Sequence, residues 1–119
     1  KFEQFYYQKN GLVDQEAWIH HLQTRRPASE VNLIQHGLSI AKIAGEHVYT
    51  PTSESALEQG LQIALILEEL NLDSESLCTG LLYPCVRYAE FKLEDVSEQF
   101  SENIAHMIAG VFQMDAMRD

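Results

Sequence analysis

The chain has 119 residues, enough for one domain, and its 45% hydrophobic and 22% charged residues are typical of a globular protein. Its net charge of −10 argues against general nucleic-acid binding, because an acidic surface repels phosphate. No apolar run is long enough to cross a bilayer, and the first ten residues lack the apolar stretch of a secretory signal.

Apolar residues recur at helical spacing almost throughout, which predicts an all-α fold of about six helices. Asp14 is the expected N-cap of the first helix. After a loop around Pro27, Ser29 is expected to cap a second helix that ends at Gly45. A polar connector follows.

The second half contains the most apolar helix, which we expect to be central and to begin with a capping box of Ser55 and Glu58. Asp73 is the expected cap of a short helix that Pro84 interrupts, and a loop follows. A short amphipathic helix and a final helix capped by Ser101 complete the chain. The absence of internal repeats and linkers predicts one helical bundle over residues 1–119. Because the chain lacks an initial methionine, we expect it to be a fragment or a trimmed chain.

The histidines and acidic residues show no pattern typical of a metal site. Adjacent histidines on a helix point about 100° apart and cannot chelate one ion. We interpret all five as surface or core residues: His20, His21, His36, His47 and His106. The acidic residues at the predicted helix ends are interpreted as a solvated surface: Glu68, Glu69, Asp73 and Glu75.

Cys78 and Cys85 are predicted to be free, buried thiols. Seven residues on one helix separate them by about 10 Å, whereas a disulfide needs Cα atoms within about 7 Å. The methionines are interpreted as core positions or partner contacts, with the core favoured: Met107, Met114 and Met117.

Several short motifs follow one another in residues 57–117. They are Leu72-Asp73, Leu81-Leu82, Glu94-Asp95-Val96, Phe100, and Gly110-Val111 through Met114. In order and spacing they resemble the N-terminal hydrolase-type HD domain of RelA/SpoT proteins, the stringent-response enzymes that make and destroy (p)ppGpp. Residues 1–50 match this family loosely.

The resemblance implies a metal site that this sequence has lost. In an active hydrolase of this family, two histidines and two aspartates hold a manganese ion, which activates the water that attacks the 3′-pyrophosphate. The positions of the HD pair, an upstream His-Pro step and a catalytic Glu-Asp pair hold Tyr83-Pro84, Gln59-Gly60 and Arg87-Tyr88, respectively. The earliest ligand histidine is expected near Gly45, and His47 lies two residues from that position. The last aspartate is expected beyond residue 119, which implies that the domain is truncated at its C-terminus.

These replacements predict a degenerate domain that binds no metal and does not hydrolyse (p)ppGpp. The pattern resembles the monofunctional RelA type, a GTP pyrophosphokinase in which an inactive hydrolase domain accompanies an active synthetase. The resemblance implies no cofactor in this chain and a cytoplasmic location. It implies the synthetase domain of the same chain as partner and contact with the ribosome through other domains, without direct nucleic-acid or membrane binding.

Four residues are candidates for regulation or contact with the synthetase. Arg87 is a candidate surrogate cation at the old metal position, paired with Glu90; the alternative is a solvent-facing arginine in a loop. Met114 and Met117 are further contact candidates.

Two other functions remain open. One is an active, manganese-dependent (p)ppGpp 3′-pyrophosphohydrolase with unorthodox ligands drawn from His20, His21 or His47 and the acidic residues. The other is an unrelated helical interaction module whose acidic face binds a basic protein. Residues 46–119 carry three Lys/Arg against fourteen Asp/Glu, a balance of −11, whereas residues 1–45 have a balance of +1.

Overall fold

The computed structural model describes residues 7–117, which form six α-helices and no strand longer than an isolated bridge. The helices are α1 (Gln15–Gln23), α2 (Ala28–Gly45), α3 (Ala56–Glu69), α4 (Ser74–Tyr88), α5 (Leu93–Gln99) and α6 (Glu102–Met117). This architecture confirms the predicted all-α bundle. Residues 1–6 and 118–119 of the predicted domain lie outside the described part.

The centre of the bundle is α4, not the more apolar α3. Helix α4 packs against α2, α3 and α6, and every residue from 77 to 85 is buried. A helix that is enclosed on several sides needs no polar face. Its sequence therefore lacks the amphipathic stripe that would show which face packs against the core.

Four of the predicted caps are confirmed. Asp14, Ser55, Asp73 and Ser101 each accept a hydrogen bond from the backbone N–H three residues later, at distances of 2.8–3.1 Å. These bonds satisfy N–H groups that have no partner within the helix.

Two other capping predictions are wrong. Ser29 lies inside α2, because Pro27 occupies the N-cap position with an extended backbone. Glu58 does not complete a capping box with Ser55, since its Oε2 accepts a hydrogen bond from the Val13 N–H at 2.8 Å. A long-range donor has therefore replaced the local one.

Pro84 does not interrupt its helix, contrary to the prediction. Helix α4 continues through Pro84 to Tyr88, which places Arg87 and Tyr88 on the last helical turn and not in a loop. Proline removes one N–H from the helix ladder, but Pro84 is buried, and packing against three neighbouring helices stabilises α4 on both sides of it. Within residues 7–117, no helix combines the length and apolarity needed to cross a bilayer.

Candidate functional site

The positions expected for the catalytic and metal-binding residues include two side chains that join α4 to α6. Arg87 and Tyr83 lie one turn apart on α4, and both bond to Oδ2 of Asp115 on α6. Arg87 Nη1 lies 2.6 Å from Asp115 Oδ2 and also donates to the Tyr83 hydroxyl at 3.2 Å. Arg87 therefore pairs with Asp115, and the predicted partner Glu90 is wrong.

The Tyr83 hydroxyl is a poor metal ligand in this environment. Its ring is buried and packs against Phe112 at a centroid distance of 5.2 Å. Burial, followed by the hydrogen bond donated to Asp115, raises the pKa of Tyr83 above its ordinary value. The phenol stays neutral near pH 7, and it donates its proton to a carboxylate instead of offering an anionic oxygen to a cation.

The neighbouring positions offer no imidazole and no carboxylate. Pro84 is buried and has no side-chain donor atom. Gly60 on α3 faces α4 so closely that a Cβ atom there would lie 2.4 Å from the Leu81 carbonyl oxygen. The resemblance implies a histidine at position 59 and a proline at position 60, and a proline does not fit at position 60 unless α3 and α4 move apart. Gln59 is half-buried beside it.

The position expected for the earliest ligand histidine, at Gly45, has no room for a side chain. A Cβ atom on Gly45 would lie 2.9 Å from Cys85 Sγ and 3.0 Å from the backbone nitrogen of Leu57. His47 does not compensate, because its side chain is 87% exposed and lies 3.8 Å from Glu46. The structure thus leaves His47 in solvent, away from the α3–α4 contact.

The other proposed unorthodox ligands lie apart from this region. His20 is exposed on α1, and His21 Nε2 lies 4.0 Å from Glu68 Oε2 near the end of α3. Among residues 7–117, no three His, Cys, Asp or Glu side chains converge on a point that could hold a metal ion. The residues at the expected site do not fit manganese.

Both cysteines are free and buried, as predicted. Burial raises the pKa of Cys78 to about 12 and that of Cys85 to about 11. The Sγ atoms donate to backbone carbonyls of α2, at Leu33 and Ala41 respectively. Neither thiol forms appreciable thiolate near neutral pH, so neither offers a nucleophile.

A buried ion pair was missed by the sequence analysis. Glu68, interpreted as solvated, has a side chain only 6% exposed, and Oε1 lies 2.6 Å from Arg26 Nη2. Arg26 also donates to Ser74 Oγ and to the Leu72 carbonyl, so one guanidinium joins the α1–α2 loop to both helices of the α3–α4 corner. The adjacent Arg-Arg before Pro27 was the only signal in the sequence, and it does not specify a partner 42 residues away.

The remaining candidates lie at the surface. Met114 and Met117 on α6 are 66% and 83% exposed, so the core interpretation is wrong for both. Tyr88 ends α4, with its ring centroid 5.1 Å from Arg87 Cζ, a cation–π contact. Glu90 is exposed in the loop before α5. Contact with another domain through these residues remains a prediction.

An HD-domain family model matches residues 43–119. A GTP pyrophosphokinase of Haemophilus influenzae is 37% identical over 62 residues, or 52% of this chain and 8% of that protein. The bifunctional (p)ppGpp synthase/hydrolase SpoT of Escherichia coli is 24% identical over 97 residues, or 82% of this chain and 14% of that protein.

A third relative carries a hydrolase name. A guanosine-3′,5′-bis(diphosphate) 3′-pyrophosphohydrolase of Haemophilus influenzae is 25% identical over 79 residues, or 66% of this chain and 12% of that protein. The chain therefore spans only about a tenth of the length of the curated relatives it matches. The relatives include proteins named for synthesis and proteins named for hydrolysis.

Proposed function

This chain belongs to the HD-domain family, as the HD domain of a RelA/SpoT-type protein, and on that premise we propose that it is a catalytically inactive relative of the (p)ppGpp hydrolases. Its role is structural and regulatory, within a RelA-type GTP pyrophosphokinase. The family match overturns the hypothesis of an unrelated interaction module.

The bonding of Asp115 to both Tyr83 and Arg87 is the observation that carries this proposal. The resemblance implies a histidine ligand where the chain has the neutral phenol of Tyr83, and a catalytic carboxylate where it has the guanidinium of Arg87. A guanidinium that already pairs with the nearby carboxylate disfavours a second cation there. The contact at Gly45 supports the same conclusion, because it leaves no room for the side chain of the histidine expected near it. At the other expected histidine position, Gln59 provides no imidazole. The active-hydrolase alternative has no comparable observation in its favour.

The regulatory part of the proposal rests on contact with a neighbouring domain. A domain that contacts a catalytic neighbour biases that neighbour between open and closed states when it binds the two states with different affinity. We propose that the neighbour is the synthetase domain of the same longer, cytoplasmic chain, which transfers pyrophosphate from ATP to GTP or GDP. Contact with the ribosome belongs to other domains of that chain.

The first test measures metal content and ppGpp hydrolysis on the purified chain with added manganese. We expect neither bound manganese nor pyrophosphate release, with the Escherichia coli bifunctional enzyme as the positive control. Bound manganese together with hydrolysis would overturn the proposal.

The regulatory part needs the longer protein. Deletion of residues 1–119 should change basal or ribosome-stimulated (p)ppGpp synthesis. Unchanged synthesis under both conditions would rule out a regulatory role while leaving the loss of hydrolysis intact.

A further inference from the structure

A surface groove separates α5 from α6 and extends into the loop before α5. One part is a cavity of about 570 Å³ between the two helices, and the other, of about 640 Å³, lies between that loop and α6. Leu93 and Glu94 line both cavities, so the two parts adjoin. From Glu102 to Phe112, α6 rises about 15 Å, room for about three turns of another helix.

The floor of the groove is apolar. Leu93, Ala105 and Phe112 are partly buried and pack against the core, and Ala109 lines the groove between them. The two alanines present little relief on α6, so an apolar side chain from outside can approach the helix closely. Such a floor fits the apolar face of an amphipathic helix.

The rim of the groove is acidic. Four exposed glutamates line it at intervals of four residues: Glu90, Glu94, Glu98 and Glu102. Within residues 7–117, no ion pair involves any of the four. The basic side chains in the lining are Lys92 and His106, too few to neutralise the glutamates.

We propose that this groove binds a basic amphipathic helix of a partner protein. Leucine-like side chains of the partner would cover the apolar floor, and flanking Lys or Arg residues would pair with the four unpaired carboxylates. A second copy of this chain does not fit, because it carries the same glutamates and a net charge of −10. The inference holds whether or not the domain hydrolyses (p)ppGpp.

The test uses a fluorescein-labelled 14-residue peptide of Leu, Ala and Lys, with leucines on one helical face and lysines on both flanks. Its control has the same composition in an order that destroys the amphipathic face. Fluorescence anisotropy with the 119-residue chain should show binding at least about tenfold tighter for the amphipathic peptide. The affinity should fall between 50 and 300 mM NaCl, because exposed charge pairs are screened.

A matched pair of charge variants locates the site. Glu94→Gln with Glu98→Gln should weaken binding by about fivefold. Glu16→Gln with Glu69→Gln removes the same charge from exposed positions and, like the first pair, neutralises one first-turn glutamate. This control should bind as the unmodified chain does.

A second pair tests the floor without changing charge. Ala109→Leu should obstruct the groove and weaken binding, whereas Ala116→Leu, at an exposed position of the same helix, should not. Backbone amide shifts on peptide addition should be largest around Ser97, Ala105 and Ala109. Equal binding of the two peptides, equal affinity of the groove variants and their controls, or shifts confined to other helices would overturn the proposal.

Discussion

Arg26 donates two hydrogen bonds to a single oxygen of Glu68, from Nη2 at 2.6 Å and from Nε at 3.2 Å. Both side chains are largely buried, at 11% and 6% exposure. Glu68 Oε2, by contrast, has no hydrogen bond within the described part of the chain. Arg26 is thus the principal compensation for a buried carboxylate charge.

Removal of Arg26 should be costly. Arg26→Ala leaves the charge of Glu68 buried without its main partner, and we expect the free energy of unfolding to fall by about 3–5 kcal/mol. Urea denaturation followed by circular dichroism measures this loss. Arg25→Ala is the matched control, because Arg25 Nε lies 3.7 Å from Glu68 and its side chain is 47% exposed. A loss of about 1 kcal/mol or less is expected there, and equal losses would contradict the assignment.

The contact between Gly60 and Leu81 should tolerate no added methyl group. Gly60→Ala places Cβ 2.4 Å from the Leu81 carbonyl oxygen, which α4 cannot relieve without moving its backbone. We expect destabilisation of about 1–3 kcal/mol. Gly110→Ala is the control on α6, where nothing lies within 4 Å of the added Cβ. That variant should gain about 0.5–1 kcal/mol, since alanine favours the helix. Thermal unfolding of both variants tests whether Gly60→Ala lowers the stability and Gly110→Ala raises it.

The buried thiols predict a dependence of stability on alkaline pH. The folded-state pKa values of about 12 for Cys78 and about 11 for Cys85 lie above that of an unfolded cysteine, about 8.5. The neutral thiols therefore contribute full stability below about pH 8.5, and this contribution is lost as the pH rises toward 11–12. Between pH 8 and 10, the unfolding free energy of the unmodified chain should fall more steeply than that of a Cys78→Ala, Cys85→Ala variant.

A reactivity measurement checks the same thiols directly. At pH 8, Ellman's reagent should leave the folded chain unmodified and should titrate two thiols in urea. Rapid reaction of either cysteine in the folded chain would show that the thiol is accessible and would contradict its burial.

Double-mutant cycles distinguish the observed partner of Arg87, Asp115, from the partner expected from the sequence, Glu90. Arg87→Gln with Asp115→Asn should give a coupling energy of about 0.5–1 kcal/mol, modest because Arg87 is 43% exposed. Arg87→Gln with Glu90→Gln should give a coupling near zero. A larger coupling in the second cycle would restore the surrogate-cation pairing with Glu90.

The helices and most of their ends were predictable because they depend on neighbouring residues. Asp14, Asp73 and Ser101 cap helices through bonds that span three positions, and such local patterns are visible in the sequence. The predictions of helix ends were wrong where a contact with residues distant in sequence replaced the expected local interaction. Val13 takes the Glu58 side chain away from the expected capping box, and packing carries α4 through Pro84.

At the candidate site, too, the sequence determined some properties and the tertiary structure determined others. The absence of histidine and aspartate at Tyr83-Pro84 and Gln59-Gly60 is a matter of residue identity. The sequence alone determined this absence, together with the helical class and the acidic charge. The partner of Arg87 and the burial of Glu68 depend on residues 28 and 42 positions away, respectively. Only the tertiary structure decided the partner of Arg87 and the burial of Glu68. Hydrogen bonds and desolvation depend on the distances between packed helices, and the periodicity of a single helix does not specify those distances.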